Sequence, residues 1–267
     1  PQAYREHKAV AHFNFRTLED IETFIEAAYE VNTPIIIACS PKIFSILGGR
    51  NIVELYRASA SCFSIPVVLH LDHANNLEDI WKAISAGFTS VMIDGSALPY
   101  EENVRLTSTV VKVARPAGIS VEGELGIIRG REDSPNEIDS ELFTSPDEAF
   151  RFTAETGIDA LAIAVGSVHG FYKSTPKLAF DRIKAISDYV RVPLVLHGGT
   201  GIPISDLKKA ISLGIAKVNI GTEFKALIIE TYKELSQNMD DVADIIQVVK
   251  KRLRERAKEF LEQISMG

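Results

Sequence analysis

The sequence predicts an α/β fold, a closed (β/α)8 barrel of the TIM type, as a single domain over residues 1–267. Eight short apolar runs of strand length recur along the chain, separated by amphipathic stretches with helical spacing. The runs are continuously apolar rather than alternating, which marks parallel strands covered by helices. The length of 267 residues suits a one-domain α/β barrel of about 250 residues. A doubly wound open sheet is the alternative. It needs a glycine-rich phosphate turn after its first strand, and none follows Phe15.

Taken in order, AVAHFNF (9–15) is the first strand and ends near Asn14, with LEDIETFIEAAYEV as the helix behind it. PIIIACS (34–40) ends near Ser40, and PVVLHLDH (66–73) ends in Asp72 and His73 before the helix LEDIWKAISAG. TSVMIDGS (89–96) ends in Asp94 and precedes ENVRLTSTVVKVA. ISVEGELG (119–126) carries Glu122 and Glu124 and is followed, after a loop, by PDEAFRFTAETG. DALAIAVG (159–166) leads to His169 and then to LAFDRIKAISDYV. PLVLHGG (193–199) ends in His197 and feeds ISDLKKAISLG, and AKVNIG (216–221) holds Asn219. The last helical stretch, about 222–266, is long enough for more than one helix.

Composition narrows the partners. The net charge is −7 and the Lys and Arg residues are scattered, which argues against nucleic acid. A small anion remains compatible, because local amides and one lysine bind phosphate against an unfavourable global charge. Cys39 and Cys62 form no CxxC pair, so the thiols read as reduced and the chain as cytoplasmic. No run approaches 18 apolar residues, so no membrane span is expected, and PQAYREHKAV has no apolar signal core.

VVLHLDH (67–73) poses the chemical question, since a core strand ends in a carboxylate and an imidazole that cost free energy to bury unpaired. A barrel gathers its strand ends on the C-terminal face, where active sites lie. His73, His169 and His197 then ring one mouth. Three imidazoles around an open position are a catalytic zinc arrangement. The alternative is three separately hydrogen-bonded histidines. Asp94 and Glu124 are further ligands or partners of ligands. His70, His12 and His7 read as structural. On a regular strand His70 and His73 point to opposite faces and share no metal. HGGTG (197–201) and NIGTE (219–223) supply glycine-rich backbone after strands seven and eight, the usual barrel phosphate site. The polar segment GIIRGREDSPNEIDSELFTS (126–145) reads as a lid or binding loop that carries Glu132 as a base, or as a solvated charge run.

LHLDHA (69–74), VEGELG (121–126), VGSVHGFYK (165–173), VLHGGTGIP (195–203) and KVNIGTE (217–223) together resemble the class II, zinc-dependent fructose/tagatose-bisphosphate aldolases over nearly the whole chain. The resemblance implies Zn2+ held by His73, His169 and His197, with Asp94 and Glu124 holding metal in alternate positions. It implies Asp72 as the acid-base group at the cleaved carbon and Glu132 as the mobile-loop base. It implies a dihydroxyacetone phosphate site at Gly170, Gly198, Gly199 and Thr200 with Asn219, Ile220, Gly221 and Thr222; Asn14 and Ser40, at the first two strand ends, and Lys173 are further substrate-binding candidates. A monovalent cation, Na+ or K+, near the glycines, a small sugar-phosphate substrate, and a homodimer or homotetramer are implied as well.

Three departures stand out. Arg129 occupies a loop position where the family usually has glycine. Gly221 replaces the aspartate common in fructose-bisphosphate enzymes and looks more like the tagatose-bisphosphate branch. Most of the helix usual before the first strand is missing. Two further readings compete. A non-catalytic barrel subunit that supports a partner aldolase would be expected to lose ligands, yet His73, His169, His197, Asp72 and Glu132 are all present. A metal-dependent barrel hydrolase calls for a carbamylated lysine or an HxH pair on one strand, and neither is visible.

Overall fold

A computed structural model describes residues 5–6, 8–128, 143–172 and 176–265. Glu132, Arg129 and Lys173 therefore lie outside the described residues. The strands are β1 (Val10–Asn14), β2 (Ile35–Cys39), β3 (Val67–Ala74), β4 (Ser90–Ile93), β5 (Ser120–Leu125), β6 (Ala160–Ile163), β7 (Leu194–Leu196) and β8 (Ile215–Ile220). All pair in parallel with their neighbours in chain order, and β8 returns to β1 with His12 opposite Asn219, closing the barrel.

Helices α1 (Leu18–Glu30), α4 (Leu77–Ala86), α5 (Tyr100–Ala114), α6 (Pro146–Thr156), α7 (Phe180–Tyr189) and α8 (Ile204–Ser212) fall where the sequence places them. Local chemistry explains their ends. Thr17 and Asp20 form a capping box at the start of α1. The Asn76 side chain accepts from the Asp79 N–H at the start of α4, and Gly87 ends that helix in the left-handed region at φ 108°.

Two differences from the sequence-based expectation concern helices. The connection from β2 to β3 contains α2 (Pro41–Leu47) and α3 (Gly49–Ser61), a span in which the sequence reading names no helix. Ser40 caps α2 and Pro41 opens it, then Gly48 at φ 80° breaks the chain into the second helix. The C-terminal stretch divides into α9 (Thr222–Leu235) and α10 (Val242–Ser265).

The helical layer is sealed where its two ends meet. Phe13 of β1, Phe24 of α1 and Phe224 of α9 are fully buried, with ring centroids 4.7–5.3 Å apart. Phe260 of α10 completes the cluster at 5.8 Å from Phe13. Above it α10 pairs with α1 through Lys250–Glu22, Arg254–Glu26 and Lys258–Glu30. Each side advances by four residues, so both helices use a single face. These pairs are partly exposed and set register more than stability. Burial of the four aromatic rings stabilises this junction more than the ion pairs do.

The barrel interior is divided. Met92, Ala162 and Val195 form a small apolar group inside strands β4, β6 and β7. His12, His70, Glu122 and Lys217, from β1, β3, β5 and β8, are buried and polar. Strand β3 is also irregular. Its register against β4 shifts between Leu71 and Ala74, and His73 adopts φ 96°. That conformation is strained for a residue with a Cβ, at about 1–3 kcal/mol. The expectation that His70 and His73 face opposite sides assumed a regular strand. Here the irregularity turns His73 inward as well, and the two histidines differ in depth, not in face.

Phe224→Ala is expected to cost about 3–5 kcal/mol, read as a lower urea midpoint at an unchanged slope. A loss under about 1 kcal/mol would show that the aromatic cluster does not seal the barrel.

Candidate metal centre and substrate site

The C-terminal ends of the strands open into a cavity of about 890 Å3. Its walls include Asn14, Ser40, Asp72, His73, Asp94, Glu124, His169, Gly170, His197, Gly198, Thr200, Asn219, Gly221 and Thr222. Two residues of the expected set stand apart from this lining. Ile220 is fully buried in the core between barrel and helices. Gly199 is enclosed by Ile220, Val218 and the Asn219 backbone, within 2.8–3.0 Å of where a Cβ would lie. Arg16, Lys42, Ser96 and Lys225 line the cavity too, and the sequence reading gave none of Arg16, Lys42 or Ser96 a role.

Three imidazoles converge at the floor. His73 Nε2 lies 2.9 Å from His197 Nδ1, and His169 Nε2 lies 3.4 Å from the same atom. Their ligand atoms all fall within 4.8 Å of one another. Carboxylates orient two of the rings. Asp94 Oδ2 is 3.2 Å from His73 Nδ1, and Asp94 Oδ1 accepts from the Ser96 N–H and hydroxyl at 3.1 and 2.7 Å. Glu122 Oε1 accepts from His197 Nε2 at 2.9 Å, which leaves His197 Nδ1 for the mouth. The other Glu122 oxygen accepts from the Lys217 ammonium, buried inside the barrel. Such carboxylate–imidazole pairs fix the tautomer of metal-binding histidines. Glu124 forms a further possible ligand set with His73 and Asp94, and its Oε2 is buried with no hydrogen-bond partner among the described residues.

The electrostatics match a cation site. Burial alone holds the His73 imidazole down, but Asp72, Asp94 and Glu124 outweigh it and push it up to about 10. A place that holds a proton so firmly attracts positive charge generally. Burial and the neighbouring His73 and His197 hold His169 at about 3, neutral and available as a ligand. Burial raises Glu124 well above its usual value, and Asp94 adds to that. Burial opposes ionisation of Asp72, yet His73, His12, His197 and Lys217 together keep its carboxyl well below the usual range. Nitrogen donors from β3 and from the segments that follow β6 and β7, with carboxylates behind them, suit a borderline-soft divalent ion, and the donor set fits zinc.

Asp72 sits beside this floor. Its Oδ2 accepts from Asn14 Nδ2 at 2.8 Å, and its Oδ1 lies 3.8 Å from His73 Nε2 with no hydrogen-bond partner among the described residues. On the opposite wall Gly198, at φ 65°, passes the Val168 carbonyl so closely that a Cβ would lie 2.1 Å from its oxygen. Only glycine permits that approach. Gly221 precedes α9 and faces Asn14, whose Oδ1 would lie 2.8 Å from an added Cβ. A larger residue there would press on the group that holds Asp72. The first turn of α9 opens at the mouth, as an anion site requires.

The sequence reading assigned no role to Lys217 or to the Glu122–His197 contact. A signal existed: a lone lysine in the apolar run AKVNIG has to find a buried partner. Its carboxylate partner, Glu122, comes from three strands away, and strand-end reasoning does not pair residues across a barrel interior.

A closed parallel barrel with a three-histidine floor and an amide-rich rim is the architecture of a barrel enzyme with a candidate metal centre. Comparison with known proteins narrows it. Residues 1–266 match the family described as fructose-bisphosphate aldolase class-II. The chain is 42% identical over 242 residues to the D-tagatose-1,6-bisphosphate aldolase subunit GatY of Klebsiella oxytoca, covering 90% of this chain and 85% of that protein. The YdjI aldolase of Escherichia coli K12 superposes with a TM-score of 0.88 at 38% identity, covering 98% of this chain and 94% of that one. A putative fructose-1,6-bisphosphate aldolase from Coccidioides immitis superposes with a TM-score of 0.88 at 32% identity, covering 99% and 93%. The chain belongs to the class II fructose-bisphosphate aldolase family and is an aldolase, a carbon–carbon lyase of ketose bisphosphates. The class is zinc-dependent in general. Among the described residues no helix is long and apolar enough to cross a membrane.

Glu122→Ala would leave the Lys217 ammonium buried without its carboxylate. The expected loss is about 3–5 kcal/mol in urea unfolding. A variant as stable as the parent would mean that the pair is not buried in solution.

Proposed function

We propose that this chain cleaves a ketose 1,6-bisphosphate reversibly to dihydroxyacetone phosphate and glyceraldehyde 3-phosphate, using zinc held by His73, His169 and His197. The observation that carries the reading is the convergence of three imidazole nitrogens next to Asp72, whose Oδ2 is tied to Asn14 and whose Oδ1 has no hydrogen-bond partner among the described residues. Tagatose 1,6-bisphosphate is the preferred sugar over fructose 1,6-bisphosphate. The small Gly221 and the 42% identity to a tagatose-bisphosphate aldolase subunit both favour it.

Zinc at the three histidines supplies Lewis-acid polarisation of the C2 carbonyl. The chain's own groups do the rest. Asp72 removes the proton from the C4 hydroxyl, the C3–C4 bond breaks, and the aldehyde departs. The electron pair left at C3 delocalises toward C2, and Glu132 delivers the proton that completes dihydroxyacetone phosphate. In condensation each proton runs the other way. Gly170, Gly198, Thr200, Gly221 and Thr222 hold the phosphate of the three-carbon product, with Gly199 and Ile220 contributing backbone only. Asn219, Ser40 and Lys173 complete the substrate contacts. Phosphate binding far from the scissile bond provides the energy that orients C3 and C4. Asp94 and Glu124 offer the metal alternate positions beside His73, and Na+ or K+ sits near the glycines. We also propose a homodimer or homotetramer in the cytoplasm. The free thiols of Cys39 and Cys62 accord with a reducing compartment.

The test is release of dihydroxyacetone phosphate from both sugars, with and without a chelator. Chelator-sensitive cleavage, faster with tagatose 1,6-bisphosphate, is expected. No release from either sugar would overturn the reading. Two variants separate metal from base. His197→Ala should lose bound zinc and cleavage together. Asp72→Ala should keep one zinc per chain, by elemental analysis, and lose at least about a hundredfold in kcat. Parent-rate cleavage by Asp72→Ala would remove it from the mechanism.

A further inference from the structure

His12 is a buried titratable group that the mechanism above leaves without a role. It lies on the inner face of β1, two residues before Asn14, and its side chain is wholly enclosed. Neither ring nitrogen has a hydrogen-bond partner among the described residues. A buried imidazole in that state carries a desolvation cost that an apolar side chain of similar size would not. Packing therefore does not explain it. What it faces does. His12 Nε2 lies 3.7 Å from Asp72 Oδ2, the oxygen that already accepts from Asn14 Nδ2 at 2.8 Å. Residues two apart on a strand share a face, so β1 presents two donors to one carboxylate oxygen. The other oxygen, Oδ1, lies 3.8 Å from His73 Nε2 and has no hydrogen-bond partner among the described residues.

A second metal ion is the rival explanation, because His12, His70 and Asp72 bring ligand atoms within 4.8 Å of one another. The surroundings oppose it. His70 Nδ1 is engaged by Ser90 at 2.8 Å, and the Lys217 ammonium is 3.5 Å from His70 Nε2. A divalent ion on that nitrogen would sit against a fixed positive charge.

We propose that His12 is a positioning residue for Asp72: its Nε2–H donates to Asp72 Oδ2 in the substrate-loaded site and, with Asn14, keeps Oδ1 aimed at the C4 hydroxyl. The assignment rests on the aldolase reading above. A shortening of roughly 0.8 Å brings the pair to the usual N–H···O distance. Such contacts are commonly long in empty sites and tighten with substrate.

Because Asp72 acts at C4 and not at C3, two reactions of the same zinc-loaded, full-length protein separate positioning from general damage. One is cleavage of the ketose bisphosphate. The other is exchange of the C3 proton of dihydroxyacetone phosphate with deuterated solvent. His12→Phe keeps bulk and removes the donor, and His12→Leu replaces it if phenylalanine is not accommodated. His12→Gln restores a donor near the Nε2 position. The expected result for Phe or Leu is a kcat for cleavage lower by about 10- to 100-fold, as for other supporting hydrogen bonds. KM and C3 exchange should stay within about twofold, and His12→Gln should recover most of the loss. Zinc should remain at one per chain in every variant. Equal falls in cleavage and exchange, parent-rate cleavage by the apolar variants, or a second zinc in the parent that His12→Phe loses would each overturn the proposal. A parent that shows neither reaction overturns the aldolase reading and this assignment with it.

Discussion

The site depends on one backbone conformation, His73 at φ 96° in an irregular strand β3. A regular strand sends consecutive side chains to opposite faces. Asp72 and His73 are consecutive, yet both side chains line the same cavity. The irregularity solves this by rotating His73 inward while Asp72 keeps the inward direction it shares with His70. The strain is held in place from several sides. Asp94 engages His73 Nδ1, while His197 and His169 crowd its Nε2 edge. Local strain at a functional position persists when its surroundings over-determine it.

Below that turn the barrel carries charge where many barrels carry only aliphatic layers. The Lys217–Glu122–His197 chain runs from the centre of the barrel to the floor of the mouth. Its buried lysine balances a buried carboxylate, and the carboxylate fixes which imidazole nitrogen faces the cavity. The buried ion pair and the orientation of the His197 ring thus share one carboxylate, Glu122. Asn14, and in our proposal His12, do for Asp72 what Glu122 does for His197, and both come from the first strand of the closed sheet.

Much of this was legible in the chain, for a topological reason. Parallel strands put every strand end on one face, so naming the polar residues at the ends of apolar runs amounts to naming a site. His73, His169, His197, Asp72, Asp94 and Glu124 were reached that way, and the structure brings them together. Reading by strand ends says nothing about the barrel interior. Lys217, the Glu122 pairing and the contact between Asn14 and Asp72 depend on which strands face one another across the barrel and at what depth. The direction of His73 was hidden because a β-irregularity leaves no mark in LHLDHA. Helices α2 and α3 are hard to read from the sequence because α2 spans only seven residues and the glycines at 48 and 49 interrupt the helical pattern between them. Ile220 was included with its motif neighbours, although alternation along β8 turns its side chain into the core, and Asn219 and Gly221 toward the cavity.

The most direct test of this account is zinc-edge X-ray absorption on the protein loaded with one zinc per chain. The expected first coordination sphere holds three imidazoles, falling to two when His73 is replaced by alanine. A sphere with two imidazoles or fewer in the parent, or one unchanged by loss of His73, would contradict it. Such a result would mean that the turn at β3 does not deliver the ligand around which the site is built.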